Sequence, residues 1–124
     1  MLSQTAEYAL RAVLAIAARE GEGSPARAAA LAGELGVPAN YLSKTLHQLA
    51  KAGVLRSTRG KHGGFRLRRP PNQITMLEVV NQFDDVAAER VTDPLYVNRV
   101  REQVRGAIRG LLEEELPRRR SIFS

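Results

Sequence analysis

The stretch RSTRGKHGGFRLRRPP, residues 56–71, places basic side chains around three glycines and contains no acidic residue. On either side of the glycines lie two short runs, VLRST and FRLRR, in which apolar and polar residues nearly alternate. Alternation with a period of two is typical of strands, and a glycine-rich segment between two such runs is typical of a turn. The pattern predicts a β-hairpin with a strongly basic tip.

Three helices are predicted before this hairpin. Apolar residues recur at helical spacing over residues 3–20, and after the segment GEGS the pair Ser24 and Pro25 predicts the N-cap and first turn of a second helix to about Leu35. Residues 37–53, VPANYLSKTLHQLAKAG, predict a third helix with a proline in its first turn and a glycine just past its end. The chain therefore begins with three helices in a row.

Two more helices are predicted after the hairpin. Thr75 lies three residues before Glu78, which is the spacing of a capping box, and predicts a short helix through Phe83. A polar loop follows, and Asp93 with Pro94 then begins a long last helix. A proline at position 117 is predicted to end that helix, leaving a disordered tail.

The order helix, helix, helix, basic hairpin is that of a winged helix-turn-helix. The predicted fold class is therefore mainly α with a small β-hairpin wing and a long C-terminal dimerisation helix. The predicted organisation is a DNA-binding domain over residues 1–83, a loop over 84–93, a dimerisation helix over 94–117 and a tail over 118–124.

The last helix carries an apolar stripe along most of its length. Roughly 22 residues at about 1.5 Å rise make a rod of about 33 Å, which is too long for a small core to cover. The same helix from a second chain would cover the stripe in a coiled-coil-like pair. The alternative is that the helix folds back over the first helix. The residues predicted to form the dimer interface are Val97, Val100, Val104, Ile108 and Leu111.

The third helix has two chemically different faces. Leu42, Leu46 and Leu49 share one side, whereas polar and basic residues occupy the opposite side. Polar and basic side chains read base edges and hold phosphates, so this helix is predicted to enter the major groove of DNA. The alternative is that its polar side is an ordinary solvated surface. The polar face comprises Asn40, Ser43, Lys44, His47 and Lys51.

The distribution of charge favours a polyanionic partner. The net charge is +6, and residues 27–69 contain nine basic residues against one acid, Glu34. Glycines in the predicted turn let the backbone approach a phosphate closely. Arg59, at the tip, is the candidate for insertion into the minor groove, and a merely solubilising basic loop is the alternative reading.

Several function classes are excluded or disfavoured. The chain has no cysteine, which removes disulfides, thiolate catalysis and cysteine-ligated metal sites, and GKHGG lacks the spacing of a phosphate-binding P-loop. His47 and His62 do not form a metal site by spacing, and Asp84 beside Asp85 is more typical of a helix cap than of acid-base catalysis. An enzyme is not predicted. Without a signal peptide or an apolar membrane span, the expected location is the cytoplasm.

Taken together, LSQTAEYALRAVLAIA, ELGVPANYLSKTLHQLAKAGVLRSTRGKHGGFRLRRPPNQITMLEVV and the long last helix resemble the Rrf-two family of IscR-like and NsrR-like transcription regulators. The most specific part is the wing, with Arg59 and Gly60, then GGFRL, Pro70 and the Ile74-Thr75 turn. The resemblance implies a homodimer joined by the last helices, each winged domain binding half of an imperfect palindrome.

The resemblance also implies which residues contact DNA. By matching position, the family's recognition helix contains Asn40, Tyr41, Ser43, Lys44 and Gln48, and Arg59 corresponds to the minor-groove arginine. With the residues chosen from charge and position, the DNA-binding candidates are Asn40, Tyr41, Ser43, Lys44, His47, Gln48, Lys51, Ser57, Arg59, Lys61 and His62.

The cysteines that bind the cluster in other members of the family are absent from this chain. Cluster-binding members place three cysteines in the loop before the dimer helix, where this chain has DDVAAERVTDP. The sequence therefore predicts a regulator, expected to be a repressor, with no cofactor. A small ligand between the winged domain and the dimer helix, a partner protein, or its own concentration would then control it. The alternative function is a winged-helix interaction module that docks an acidic protein.

Overall fold

A computed structural model describes residues 2–19, 24–84 and 93–123, with the side chains of all of these except 107 and 110–123. The mainly α fold with a two-stranded hairpin is confirmed. Its elements in chain order are α1 (Gln4–Ala18), α2 (Ala28–Leu35), α3 (Ala39–Lys51), β1 (Leu55–Thr58), β2 (Gly64–Leu67), a 3-10 turn (Pro71–Gln73), α4 (Met76–Val80) and α5 (Pro94–Phe123).

The first helix, α1, is the centre of the fold because both of its sides are buried. Ser3 caps it by accepting a hydrogen bond from the Ala6 N–H at 3.1 Å. Four alanines of the helix, Ala6, Ala9, Ala12 and Ala15, are fully buried, so neighbouring elements approach its backbone closely. One side packs in the winged-helix core with Leu31, Leu46 and Val54. The other side belongs to a smaller second core formed by Leu2, Ala6, Leu10, Val80 and Val104.

The predicted start of the second helix at Ser24 and Pro25 is wrong. The helix α2 begins only at Ala28, and the chain before it pairs with the wing instead. The Ala26 N–H donates to the Phe65 carbonyl at 3.0 Å, and the Ala26 carbonyl accepts from the Phe65 N–H at 2.7 Å. This pairing holds the residue in an extended conformation, which a helical first turn does not allow.

The helix-turn-helix itself is as predicted. Gly36 ends α2 in the left-handed conformation, with φ of 70°, and α3 begins directly after Pro38. The leucines of α3, at positions 42, 46 and 49, are fully buried against the core. A second left-handed glycine, Gly53 with φ of 83°, turns the chain from α3 into β1.

The wing is an antiparallel hairpin in which one face is apolar. Leu55 pairs with Leu67 and Ser57 with Phe65, so these four side chains share a face. Three of them, Leu55, Phe65 and Leu67, are buried. The strands are therefore held in register by the core, while the turn between them extends into solvent.

The helix α5 differs from its prediction at the C-terminal end. It continues through Pro117 to Phe123, so the predictions that Pro117 ends it and that residues 118–124 form a disordered tail are wrong for positions 118–123. An interior proline removes one backbone hydrogen bond, but leucine, glutamate and arginine, which favour helix, surround it in LLEEELPRRR. Thirty residues make a rod of about 45 Å.

The first half of α5 lies against α1 of the same chain. Val104 is 8% exposed within the second core, and Val100 is half-buried beside it. The Gln103 amide accepts from the Leu2 N–H at 2.9 Å and donates to the Leu2 carbonyl at 3.1 Å. The alternative that the last helix folds back over the first is thus realised over this half. Within the described ranges, no helix has the length and apolarity that crossing a bilayer requires.

Candidate nucleic-acid interface

The outward face of α3 carries an exposed polar stripe. Asn40, Lys44, His47 and Lys51 are all exposed, and their spacing of four, three and four residues places them on one side of the helix. The stripe lies opposite the buried leucines. An amphipathic helix of this kind presents hydrogen-bonding and positively charged groups to a partner while its other side holds it in the core.

Three predicted contact residues lie at the edges of this stripe rather than in it. Ser43 is half-buried on one edge, and Tyr41 and Gln48 lie on the other. The Tyr41 hydroxyl is hydrogen-bonded to the Thr5 hydroxyl, and its ring stands edge-on to Tyr8 at 6.0 Å between centroids. The Gln48 amide donates to the Gln82 carbonyl at 2.6 Å. These two side chains connect α3 to α1 and to the turn after α4.

Replacing Tyr41 with Phe is expected to lower the free energy of unfolding by about 1 kcal/mol, since it removes one hydrogen bond and leaves the Thr5 hydroxyl without this partner. Urea denaturation monitored by circular dichroism measures the change. The matched variant Tyr96→Phe removes a hydroxyl from a half-buried position on α5 that has no described hydrogen bond. Equal effects of the two substitutions would contradict the role of the Tyr41 hydroxyl.

The tip of the wing is exposed and tightly turned. Ser57, Arg59, Lys61 and His62 are all exposed. The turn is closed by the Gly63 N–H, which donates to the Gly60 carbonyl at 3.0 Å. The guanidinium of Arg27 donates to the Lys61 carbonyl and so fastens the tip to the chain before α2. The tip is therefore a defined loop that presents its side chains outward.

A single aromatic ring joins the wing to α3. The Phe65 ring packs edge-on against His47 of α3, with 5.1 Å between centroids. Across the hairpin, Ser57 is the register partner of Phe65 and shares its face of the sheet. The structure thus brings the exposed stripe of α3 next to the wing. We call the exposed stripe of α3 and the exposed wing tip together the basic face.

The basic face is not neutralised from within. In the part of the chain that the structure describes, Lys44, Lys51, Arg59 and Lys61 have no acidic partner. The nearby acids are already paired elsewhere, Glu34 with Arg19 and Glu78 with Arg69. On the other face of the hairpin, Arg56 and Arg66 are directly opposed across the strands.

The partners of two supporting residues were not predicted from the sequence. Arg27 looked like one more basic residue, yet its role is to hold the Lys61 carbonyl. Asp84 accepts hydrogen bonds from the backbone N–H of Ser3, at 2.8 Å, and from its hydroxyl, so it anchors the residue that caps α1. Both contacts join segments far apart in sequence, and local patterns carry no signal for them. Asp85 lies outside the described residues.

The predicted dimer residues fall into three groups. Val104 is buried and Val100 half-buried against α1 of the same chain, and Val97 is half-buried one turn earlier. Ile108 is 41% exposed, and Leu95, at the start of the helix, is 71% exposed. The side chain of Leu111 lies outside the described residues. Leu95 and Ile108 are therefore the most exposed large apolar side chains in the described part of α5.

The ligand chemistry of the chain does not suit a metal cluster. The 124 residues contain no cysteine, so thiolate ligands are absent. Over residues 2–19, 24–84 and 93–109, no three histidine or acidic side chains come together in a way that could hold a metal ion. The loop over residues 85–92, where the family resemblance places the cluster ligands, lies outside the described residues.

Comparison with known proteins gives a consistent result. The sequence model of the Rrf2 family, described as iron-dependent transcriptional regulators, matches residues 2–118. An rrf2-like HTH-type transcriptional regulator of Rhodobacter capsulatus is 35% identical over 86 residues, covering 68% of this chain and 57% of that protein. The chain spans 57% or less of the length of the curated relatives it matches.

Solved structures show the same fold. IscR of T. potens superposes with a TM-score of 0.63 at 27% identity, covering 90% of this chain and 79% of that one. The oxidized form of CymR from Staphylococcus aureus gives a TM-score of 0.63 at 25% identity, covering 90% of this chain and 87% of that one.

Proposed function

Because this chain belongs to the Rrf2 family of transcriptional regulators, we propose that it binds double-stranded DNA sequence-specifically as a homodimer and represses transcription from imperfect palindromic operators. The observation that carries this proposal is the basic face. It joins an exposed polar helix to an exposed basic wing, and its lysines and Arg59 have no acidic partner among the described residues. Unpaired positive charge on one side of a small domain matches the phosphate backbone of a duplex.

Each part of the basic face has a separate task in this proposal. The stripe of α3 enters the major groove, where Asn40 and His47 are placed to meet base edges and Lys44 and Lys51 to meet phosphates. The wing follows the backbone, with Ser57, Lys61 and His62 on phosphates and Arg59 in the minor groove. Ser43, Tyr41 and Gln48 lie beside the stripe. Of these, Tyr41 and Gln48 chiefly fix the orientation of α3 through their intramolecular hydrogen bonds.

The homodimer rests on the shape and surface of α5. A rod of about 45 Å is longer than a domain of this size is wide, and Val104 is the last described residue of α5 in the core that it shares with α1. Ile108 is exposed one helical turn later on the same side of α5 and continues the apolar surface beyond that core. Association of two such helices covers this surface and sets the distance between the two basic faces, and hence the spacing of operator half-sites.

The proposal does not include a cysteine-ligated iron-sulfur cluster. The family description names iron, but the chain supplies no thiolate to hold an iron-sulfur cluster. We therefore propose regulation without a cysteine-ligated cluster. A small molecule or a partner protein is then the remaining kind of signal, apart from the concentration of the regulator itself.

The decisive experiment is selection from random duplexes by the purified protein at near-physiological salt. Enriched sequences with two half-sites related by two-fold symmetry would support the dimeric regulator. Salt-sensitive binding without enrichment would contradict sequence-specific readout. An absence of binding to any duplex would favour the alternative, a module that docks an acidic protein, because such a module shows neither a specificity ratio nor counterion release on DNA.

Substituting Lys44 with Ala is expected to weaken binding to specific and unrelated duplexes by similar factors. It should also reduce the slope of log K against log salt by about 0.9, since one phosphate contact is lost. Binding isotherms over a salt series measure both quantities. Arg99→Ala is the matched control, because Arg99 is an exposed residue of α5 outside the basic face and removes the same charge. Equal slopes for the two variants would contradict a phosphate contact by Lys44.

A further inference from the structure

The two faces of the wing hairpin differ in chemistry. The inner face packs on the core, and its Phe65 ring contacts His47 of α3 at 5.1 Å between centroids. The opposite face therefore points away from α3, and its exposed side chains are basic or carry a hydroxyl group. We call it the outer wing face, and it consists of Arg56, Thr58, Arg66 and Arg68.

The residues of the outer wing face lie at different distances from the wing tip. Thr58 is the last residue of β1 before the turn, and Arg56 lies two residues, or about 7 Å, behind it. Arg68 continues β2, because its N–H donates to the Val54 carbonyl at 3.0 Å, and it lies about 13 Å behind the tip end of that strand. A partner bound at the tip therefore meets Arg56 before Arg68.

The outer wing face is a second concentration of positive charge, outside the basic face. Arg56 and Arg68 have no acidic partner among the described residues. The two strands themselves, LRST and GFRL, contain no acidic residue. Arginine presents a planar fork of donors that matches the oxygens of a phosphate or a carboxylate. The outer wing face therefore fits an anionic partner.

The size of the outer wing face favours DNA over an acidic protein. Its two strands lie about 4.8 Å apart and span about 13 Å, an area far below the roughly 800 Å² that each partner buries in a stable protein complex. A face this small adds contacts to a partner that is already held beside it. The wing tip, which we assign to DNA, continues into this face along the same two strands.

We propose that the tip-side half of the outer wing face, Arg56 with the Thr58 hydroxyl, binds the phosphate backbone on the side of the wing away from α3. Since α3 lies on the inner side of the hairpin, the phosphates nearest Arg56 border the far side of the minor groove assigned to Arg59. The inference rests on the proposed function and adds a third DNA-contacting surface to the stripe of α3 and the wing tip.

The test compares Arg56→Gln with Arg68→Gln on the operator obtained by selection. The two substitutions remove the same charge from exposed positions on the same face. Arg56→Gln should lower the slope of log K against log salt by about 0.9. If binding becomes equal to that of the unaltered protein at about 1 M salt, this corresponds to about fivefold weaker binding at about 0.15 M salt. Arg68→Gln should retain the slope and affinity of the unaltered protein.

Phosphate ethylation interference locates the contact on the duplex. The phosphates whose ethylation no longer matters in Lys44→Ala mark the position of α3. In Arg56→Gln, interference should disappear at phosphates on the opposite side of the wing from those that depend on Lys44. Arg68→Gln should show the same interference pattern as the unaltered protein.

Three results would overturn the proposal. An unchanged slope and interference pattern in Arg56→Gln would leave the outer wing face to an acidic protein. Equal losses in Arg56→Gln and Arg68→Gln would indicate a long-range effect of charge instead of a contact. Loss of interference between the wing and α3 would show that this face does not point away from α3 on the DNA. Failure of the proposed function is distinguishable, because the unaltered protein would then select no operator, and this inference would fall with it.

Discussion

Replacing Arg59 with Glu is expected to weaken binding to the selected operator by about a hundredfold at near-physiological salt. Arg59 lies exposed at the wing tip and has no acidic partner among the described residues. An arginine that contacts bases or a narrow minor groove contributes about 1–3 kcal/mol, and a carboxylate in its place also repels the phosphates. A hundredfold change corresponds to about 2.7 kcal/mol, within reach of the two effects together.

The measurement is a set of binding isotherms on the selected duplex, with Arg99→Glu as the control for the same change in total charge. Arg99 is exposed on α5 and lies outside the basic face, so it reports only the long-range effect of charge. The thermal midpoint of Arg59→Glu should remain near that of the unaltered protein, because an exposed side chain without intramolecular contacts contributes little to stability. Affinities that agree for the two variants would place the wing tip away from the DNA.

The parts of the fold that the sequence predicted well depend on short-range rules. The left-handed Gly36 and Gly53 end α2 and α3 because only a residue without a side chain adopts that conformation easily. The alternation of VLRST and FRLRR fixes one buried face of the hairpin. Thr75 caps α4 by accepting from the Glu78 N–H at 3.1 Å, also as predicted.

The parts that were missed depend on partners distant in the chain. Ser24 and Pro25 have the form of a helix start, but the pairing of Ala26 with Phe65, 39 positions later, determines the conformation there. Glu78 has the spacing of a capping box, yet its carboxylate forms an ion pair with Arg69. Tertiary contacts of this kind override the local conformational propensity where they form backbone hydrogen bonds or ion pairs.

In the candidate site too, the features set by local patterns were predicted and those set by distant contacts were missed. Helical periodicity sufficed to place Lys44, His47 and Lys51 on the outer side of α3. It could not show that Tyr41 and Gln48 are held by Thr5 and Gln82, because neither partner is near in sequence. The first contact connects α3 to α1, and the second connects α3 to the turn after α4. The Gln103 amide of α5 in turn holds Leu2, directly before α1.

The second large effect is expected at Gly63, in the wing turn. A Cβ atom at this position would lie 2.2 Å from the Thr58 carbonyl oxygen and 2.8 Å from the Arg59 carbonyl carbon, both of which are backbone atoms. No flexible side chain can move aside, so Gly63→Ala forces the turn to change shape. Overpacking of this kind costs about 1–3 kcal/mol. Because the displaced backbone carries Arg59, the operator affinity should also fall by tenfold or more.

The matched substitution for Gly63→Ala is Gly33→Ala. Gly33 lies exposed within α2, has no atom within 4 Å of an added Cβ, and does not have a positive φ. Alanine there should raise the free energy of unfolding by about 0.5–1 kcal/mol, because it is the better helix former, and leave DNA affinity unchanged. The same chemical change is thus expected to change the free energy of unfolding in opposite directions at the two positions.

Denaturant unfolding and operator-binding isotherms of both variants measure these effects. If Gly63→Ala retained full stability and affinity, the tight turn at the wing tip would not be needed to position Arg59, and the wing would contact DNA in another way.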